Sequence, residues 1–284
     1  MRVVRHADAD AFLARASEWL LNAEAENNLI LGLAGRIGRE PHLFQPPIYL
    51  ATIEDLGAVH GCVMRTPPFK LIVSRIPVAA LPALVADVRE TFATLPAVLG
   101  PDPGAHAFAQ RWGFTCGVSV ELGMRQRIYQ LEHVREPERR AHGSLRVAQA
   151  ADLDLVVTWI EAFSQEAGLV SARARALAEE RIRNGELFLW IDDGPRCMAA
   201  WSGATPNSVR IGYVYTPPAH RGRGYASICT ARISQLALDA GNRYCFLFTD
   251  LSNPTSNAIY QRIGYEPVCD VNDYMFTPGA GFVS

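Results

Sequence analysis

The run Tyr213-Val214-Tyr215-Thr216-Pro217-Pro218-Ala219-His220-Arg221-Gly222-Arg223-Gly224-Tyr225-Ala226 concentrates residue types that hold an anion. A strand-like apolar stretch ends at Tyr215, glycines follow, and an amphipathic helical pattern begins near Tyr225. The first N–H groups of a helix have no intrahelical partner, and the helix dipole puts partial positive charge there. Gly222 and Gly224 carry no side chain, so an anion can approach those groups closely. Arg221 and Arg223 add guanidinium groups suited to phosphate. A pyrophosphate is the natural guest. Three other readings compete. A dinucleotide fingerprint sets its glycines directly after the strand, but here Pro217 to His220 intervene and Ser227 stands where the third glycine belongs. An RNA-binding element is poorly served by one RGRG copy on a helix start in an acidic protein. The third is a helix start that merely uses glycine.

Near the C-terminus, Asn253-Pro254-Thr255-Ser256-Asn257-Ala258-Ile259-Tyr260-Gln261-Arg262-Ile263-Gly264-Tyr265 forms a second compact pattern. Arg221-x-x-Gly224-x-Ala226 resembles the Q/R-x-x-G-x-G/A signature of the GCN5-related N-acetyltransferase (GNAT) superfamily. The Asn253–Tyr265 run resembles that superfamily's next motif, N-x-x-x-x-x-x-Y-x-x-x-G-F/Y. The two stand in the right order, about 30 residues apart. The resemblance covers roughly residues 144–277, and residues 1–134 only through an internal repeat.

The resemblance implies acetyl-CoA as co-substrate, no metal, and two central strands that part around the acetyl-pantetheine arm. Backbone groups of Val214, Tyr215 and Thr216 would bond that arm, and an N–H there would stabilise a developing oxyanion. Backbone N–H groups of Gly222, Arg223, Gly224, Tyr225 and Ala226 would hold the pyrophosphate beside Arg221. Asn253 and Ser256 would touch the far side of the cofactor. Tyr260 matches the superfamily's general acid: a phenol of pKa about 10 can donate to a departing thiolate. In relatives the base is often a carboxylate on a central strand, but Val209–Tyr215 contains none. Glu161, Glu166 and Asp250 are the candidates. His220 titrates near neutrality but stands beside the phosphate loop, where solvent or phosphate would face it.

The elements that must position these residues follow from period and punctuation. A strand over Leu145–Val147 leads to a helix from Asp152, a plausible N-cap, to Phe163. A second helix spans about Ala172 to Arg183 and stops near Asn184-Gly185. Strands follow at Leu187–Ile191, Cys197–Ser202 and Val209–Tyr215, separated by Asp192-Asp193-Gly194-Pro195 and Thr205-Pro206-Asn207-Ser208. Ala226, Cys229, Ile233, Leu236, Ala237 and Ala240 make one helical face, closed by Gly241-Asn242. Tyr244–Thr249 reads as a strand buried on both faces, and a helix from Ser256 to Ile263 has Gly264 just past its end. A last strand lies near Met275 and Phe276.

Residues 107–115 (AFAQRWGFT) echo residues 258–266 (AIYQRIGYE), 151 positions on. An offset near half the chain means duplicated domains. Arg135 to Gly143, charged and without apolar periodicity, reads as the linker. The expected organisation is α/β: two tandem GNAT-like domains, 1–134 and 144–284, joined by 135–143. Each would have a mixed, mostly antiparallel central sheet flanked by helices. The first half has matching runs at Ile48–Ile53, Val59–Met64 and Lys70–Arg75. Its chemistry is missing: Tyr260 corresponds to Ala109, and the loop after the third run, Ile76-Pro77-Val78-Ala79-Ala80, lacks glycine. Pro77 also removes a backbone donor. Gly100-Pro101-Asp102-Pro103-Gly104 is a loop ahead of the repeat helix, not a phosphate cradle. One coenzyme A site per chain is expected.

Composition bounds the rest. The 284 residues carry 27 Lys+Arg against 29 Asp+Glu, a net charge of −2, which argues against a nucleic-acid or membrane-surface partner. Lys70 is the only lysine, so Schiff-base chemistry would have to use it. Six cysteines form no C-x-x-C pair and read as buried free thiols of a reducing cytoplasm. The N-terminus has charges where a signal peptide needs an apolar core, and no stretch suits a membrane span. The expected function is transfer of an acetyl group from acetyl-CoA to an amine on a small molecule or peptide. The alternative is a non-catalytic module that senses coenzyme A.

Overall fold

The computed structural model describes residues 1–138, 141–168 and 173–278. The chain forms two compact units, and the division is not a single cut. Unit 1 holds Met1–Ile128, Thr249–Ser252 and the C-terminal segment from Pro267; unit 2 holds Tyr129–Phe248 and Asn253–Glu266. The C-terminal strand thus counts with the N-terminal half. Of the expected linker, Arg139 and Arg140 lie outside the described residues.

In chain order, the first half has β1 (Arg2–Arg5), α1 (Ala9–Leu21), α2 (Glu24–Arg39), β2 (Tyr49–Asp55), β3 (Ala58–Arg65) and β4 (Leu71–Val73). It continues with α3 (Leu81–Thr91), β5 (Ala97–Pro101), α4 (Gly104–Cys116) and β6 (Val118–Leu131). Asp8 starts α1 by accepting the Ala11 N–H at 2.8 Å. The strands β1 to β4 pair antiparallel, and β4 pairs β5 in parallel. The third expected run shortens from Lys70–Arg75 to Leu71–Val73: at Ser74 the Cys62 N–H bonds the serine hydroxyl at 2.8 Å in place of its carbonyl. Helices α1 and α2 cover one sheet face around Phe12, Leu20 and Ile30; α3 and α4 cover the other around Leu84, Phe108 and Trp112.

The second half has β7 (Ser144–Val147), α5 (Leu153–Glu166), α6 (Ala174–Arg183), β8 (Leu187–Ile191), β9 (Pro195–Ser202) and β10 (Ser208–Tyr215). After these come α7 (Tyr225–Asp239), β11 (Tyr244–Asp250), α8 (Pro254–Arg262) and β12 (Glu266–Pro278). Strands β7 to β10 pair antiparallel, and β10 pairs β11 in parallel. In unit 1, β12 pairs β5 antiparallel, with Tyr274 opposite Val98. Each unit is therefore α/β, with a mixed, mostly antiparallel sheet and helices on both faces. In unit 2, α5 and α6 pack on Leu187, Met198 and Tyr215, while α7 and α8 pack on Cys197, Ile211 and Leu247.

Two local readings need correction, and one lies outside the described residues. Asp152 does not cap α5 with its side chain; it closes a short 3-10 turn, its carboxylate accepting the Gln149 N–H at 2.8 Å and bonding Arg146. Ala172, the expected start of the second helix, lies outside the described residues, and α6 is described from Ala174. Leu236 is exposed, because the buried stripe of α7 runs through Ile228, Cys229, Ile233 and Ala237, one step round the helix.

Candidate active site

Parallel pairing between β10 and β11 covers only Ser208 with Tyr244, Val209 with Cys245 and Arg210 with Phe246. β10 runs on for five more residues without that partner. On its other edge, the register against β9 shifts between Gly212 and Tyr215, and Tyr213 takes φ of 53°. A bulge of this kind bends a strand and re-aims its groups. A left-handed tyrosine is strained, and such strain collects at functional sites. A Cβ added to Gly212 would meet nothing within 4 Å. Past Arg210, β10 therefore has no ladder partner in β11, and Gly212 faces open space.

Beyond Thr216 the chain passes through a 3-10 turn, Pro218–His220, and reaches Gly222 at φ 73° and Gly224 at φ 88°. Both angles favour glycine. Gly224 is the N-cap of α7 and supplies no side-chain cap, so the first N–H groups of that helix keep their capacity for an anion. Gly222 is exposed with open space where a Cβ would stand. Thr216 Oγ1 and His220 Nδ1 are buried without a hydrogen-bond partner among the described residues. Uncapped donors, glycine clearance and orphaned polar atoms fit a pyrophosphate-bearing cofactor.

The arginines divide. Arg223 is exposed. Arg221 donates from Nε to the Thr216 carbonyl at 2.9 Å and from one terminal nitrogen to both Glu166 oxygens at 2.6 and 2.7 Å. That ion pair joins the loop to the end of α5, where Glu166 stands half-exposed. The Tyr225 hydroxyl donates to Asp192 at 2.5 Å, and this bond keeps the phenol protonated by raising its pKa. His220 Nε2 lies 3.3 Å from Arg196. Val214, Tyr215 and Ala226 are half-buried or buried, leaving backbone rather than side chain for a ligand.

Tyr260 lies on α8 and packs on the core beneath α7, its ring edge-on to Tyr265 with centroids 6.0 Å apart. Burial is the main cause that holds its phenol protonated well above the usual range, and the neighbouring thiols Cys197 and Cys229 act in the same direction. A phenol kept protonated is a hydrogen-bond donor at every physiological pH. Asn253 caps α8, its Oδ1 accepting the Ser256 N–H at 3.0 Å. That bond engages the Asn253 side-chain oxygen and the Ser256 backbone N–H. Tyr129 fixes the helix from below by donating to Asn257 at 3.0 Å and accepting from Gln261 at 3.2 Å. Glu161 is exposed on α5. Asp250 belongs to unit 1 and accepts the Ser252 N–H at 2.8 Å. No group of three or more potential metal ligands occurs among the described residues.

Sequence reasoning overlooked three features: the bulge at Tyr213, the thiols beside Tyr260, and two arginines, Arg181 and Arg210, in the interior of unit 2. Arg210 had a signal, since it interrupts an otherwise apolar strand.

The chain shares its fold with GCN5-related N-acetyltransferases, a tandem GNAT protein among them. Residues 191–274 match the family of FR47-like proteins. Solved structures agree over nearly the whole chain. A GCN5-related N-acetyltransferase from Sphaerobacter thermophilus is 16% identical, with TM-score 0.63, covering 98% of this chain and 97% of its own. A GNAT-family acetyltransferase from Colwellia psychrerythraea is 14% identical, with TM-score 0.58, covering 98% and 100%. A tandem GNAT protein from the clavulanic acid biosynthesis pathway is 13% identical, with TM-score 0.55, covering 97% and 98%. None of the curated proteins matches the chain. No described helix is long and apolar enough to cross a membrane.

Proposed function

We infer that the chain is an acetyl-CoA-dependent N-acetyltransferase whose single active site lies in unit 2. The observation that carries this reading is the parting of β10 from β11 after Arg210, next to the uncapped start of α7. The N–H groups from Gly222 to Ala226 would hold the pyrophosphate, and those of Val214 to Thr216 would line the pantetheine arm. Bound there, the cofactor supplies an activated acetyl thioester. The chain's own residues do the rest. Backbone N–H groups in the gap lower the energy of negative charge on a carbonyl oxygen. The Tyr260 hydroxyl donates a proton or hydrogen bond toward a thiolate sulfur. With Glu166 ion-paired and Glu161 in solvent, deprotonation of the acceptor amine falls to water held by backbone groups of the bulge.

Coenzyme A and acetyl-CoA should raise the melting temperature, since a ligand that prefers the folded state adds to apparent stability. No shift at millimolar ligand refutes the assignment. The second reading, a module that binds coenzyme A without catalysis, is favoured by the absence of a carboxylate on β10. Thioester consumption with a panel of amines separates the two.

A further inference from the structure

Arg196, on β9, donates from Nε to the Asp192 carbonyl at 2.6 Å, from Nη2 to the Asp193 carbonyl at 3.1 Å, and from Nη1 to His220 Nε2 at 3.3 Å. The first two bonds close the β8–β9 turn around the left-handed Asp193 and Gly194. The third ties that turn to the 3-10 turn that precedes the glycines. The β8–β9 turn also reaches the far side of the glycines, where the Asp192 carboxylate accepts the Tyr225 hydroxyl at 2.5 Å. Tyr225 is the first residue of α7 and is buried. One turn thus holds the loop both before and after Gly222 and Gly224. The Arg196 contact also decides which nitrogen of His220 bears the proton. A guanidinium has donors only, so Nε2 must accept and the ring proton lies on Nδ1. That Nδ1 is buried and has no partner among the described residues. Thr216 Oγ1, at the other end of the same turn, is likewise without one. A buried donor with no acceptor needs a physical reason, and a ligand oxygen supplies one.

We propose that His220 donates its Nδ1–H to a phosphate oxygen of the cofactor, and that Arg196 is the positioning residue that fixes the imidazole for that bond. The proposal rests on the acetyltransferase reading above. A hydrogen bond to a charged phosphate oxygen is charge-assisted and stronger than one between neutral groups. Arg196 sets the tautomer before the ligand arrives, so binding has no proton to move and little side-chain freedom to freeze. The backbone N–H groups at the start of α7 would meet the pyrophosphate from the helix, and His220 would meet it from the turn after β10. The roles are distinct: His220 touches the cofactor, while Arg196 acts only through His220.

The experiment uses the full chain and coenzyme A. In nitrogen-labelled protein without ligand, long-range proton–nitrogen NMR spectra should show the His220 ring with its proton on Nδ1 and none on Nε2, the signal being assigned through His220→Asn or His220→Gln. Coenzyme A should shift Nδ1 far more than Nε2, and Arg196→Met should let the two tautomers mix. Calorimetric titration then separates a donor from a brace. His220→Asn keeps an amide N–H where Nδ1 stands and should bind coenzyme A within a few-fold of the unaltered chain. His220→Gln keeps an amide oxygen for Arg196 but no donor at the Nδ1 position. It should bind roughly 10–100-fold more weakly, the worth of a hydrogen bond to a charged group. The reverse order, or equal binding by the two variants, overturns the proposal. So does a proton on Nε2 in the free chain, or an Nδ1 signal that coenzyme A leaves in place. If coenzyme A binds nowhere on the unaltered chain, the acetyltransferase reading fails and the proposal falls with it. If it binds there and His220→Gln binds it as tightly, the proposal alone fails.

Discussion

The two parallel strand–loop–helix junctions, β4 to α3 in unit 1 and β10 to α7 in unit 2, hold the same place in the element order and differ where a cofactor would touch. In unit 1, Gly100 on β5 lies directly against β4: a Cβ there would fall 2.5 Å from the Val73 carbonyl oxygen and side chain. A Cβ on Gly104 would fall 2.9 Å from the Ile76 side chain. In unit 2, Gly212 faces open space. The α3 start has a proline in its first two positions and no positive φ in its approach, whereas α7 is entered through two left-handed glycines. Glycine thus serves opposite ends: it closes the gap in unit 1 and clears it in unit 2. Keeping a fold demands only packing, while keeping a ligand site demands that certain groups stay unpaired.

The comparison breaks most sharply at Gly224. Gly224→Asp places a side chain on a left-handed backbone and a negative charge at the anion position, and should abolish the melting shift caused by coenzyme A. A retained shift would mean the cofactor is held elsewhere. Tyr260→Phe should lower kcat by ~10²–10⁴ while cofactor affinity stays within a few-fold. Unchanged turnover would reduce Tyr260 to a packing residue. The paired glycines offer a stability test. Gly100→Ala should destabilise by roughly 1–3 kcal/mol in denaturant unfolding through overpacking, whereas Gly212→Ala should change stability by less than ~0.5 kcal/mol and instead weaken cofactor binding. Equal stability losses would mean that β10 and β11 are as tightly joined as β4 and β5. The smallest effect is expected at Glu166→Gln, which removes a half-exposed ion pair worth ~0–1 kcal/mol. Turnover should hardly move, and a hundredfold loss would make Glu166 the general base.

Much of this was legible in the sequence because the loop advertises itself: Gly222 and Gly224 are demanded by backbone angle, and Gly241 and Gly264 end helices at φ 96° and 108°. The first half's lack of a glycine loop was equally plain. Side-chain partners were not legible. Arg221 is offered to phosphate by its motif, yet Glu166, 55 residues away, takes one of its nitrogens. Asn253 reads as a cofactor contact and caps its own helix. Nor does local pattern report that β12 pairs with β5, about 170 residues earlier in the chain. Long-range choices of this kind depend on tertiary packing, which periodicity does not encode.

The central claim is that only one of the two units holds the cofactor. Calorimetric titration of the full chain with coenzyme A tests it most directly. The account predicts a single site per chain, lost in Gly224→Asp. Two sites of similar affinity would contradict it, for the second would have to be built at the junction where Val73 is packed against Gly100 and Ile76 against Gly104.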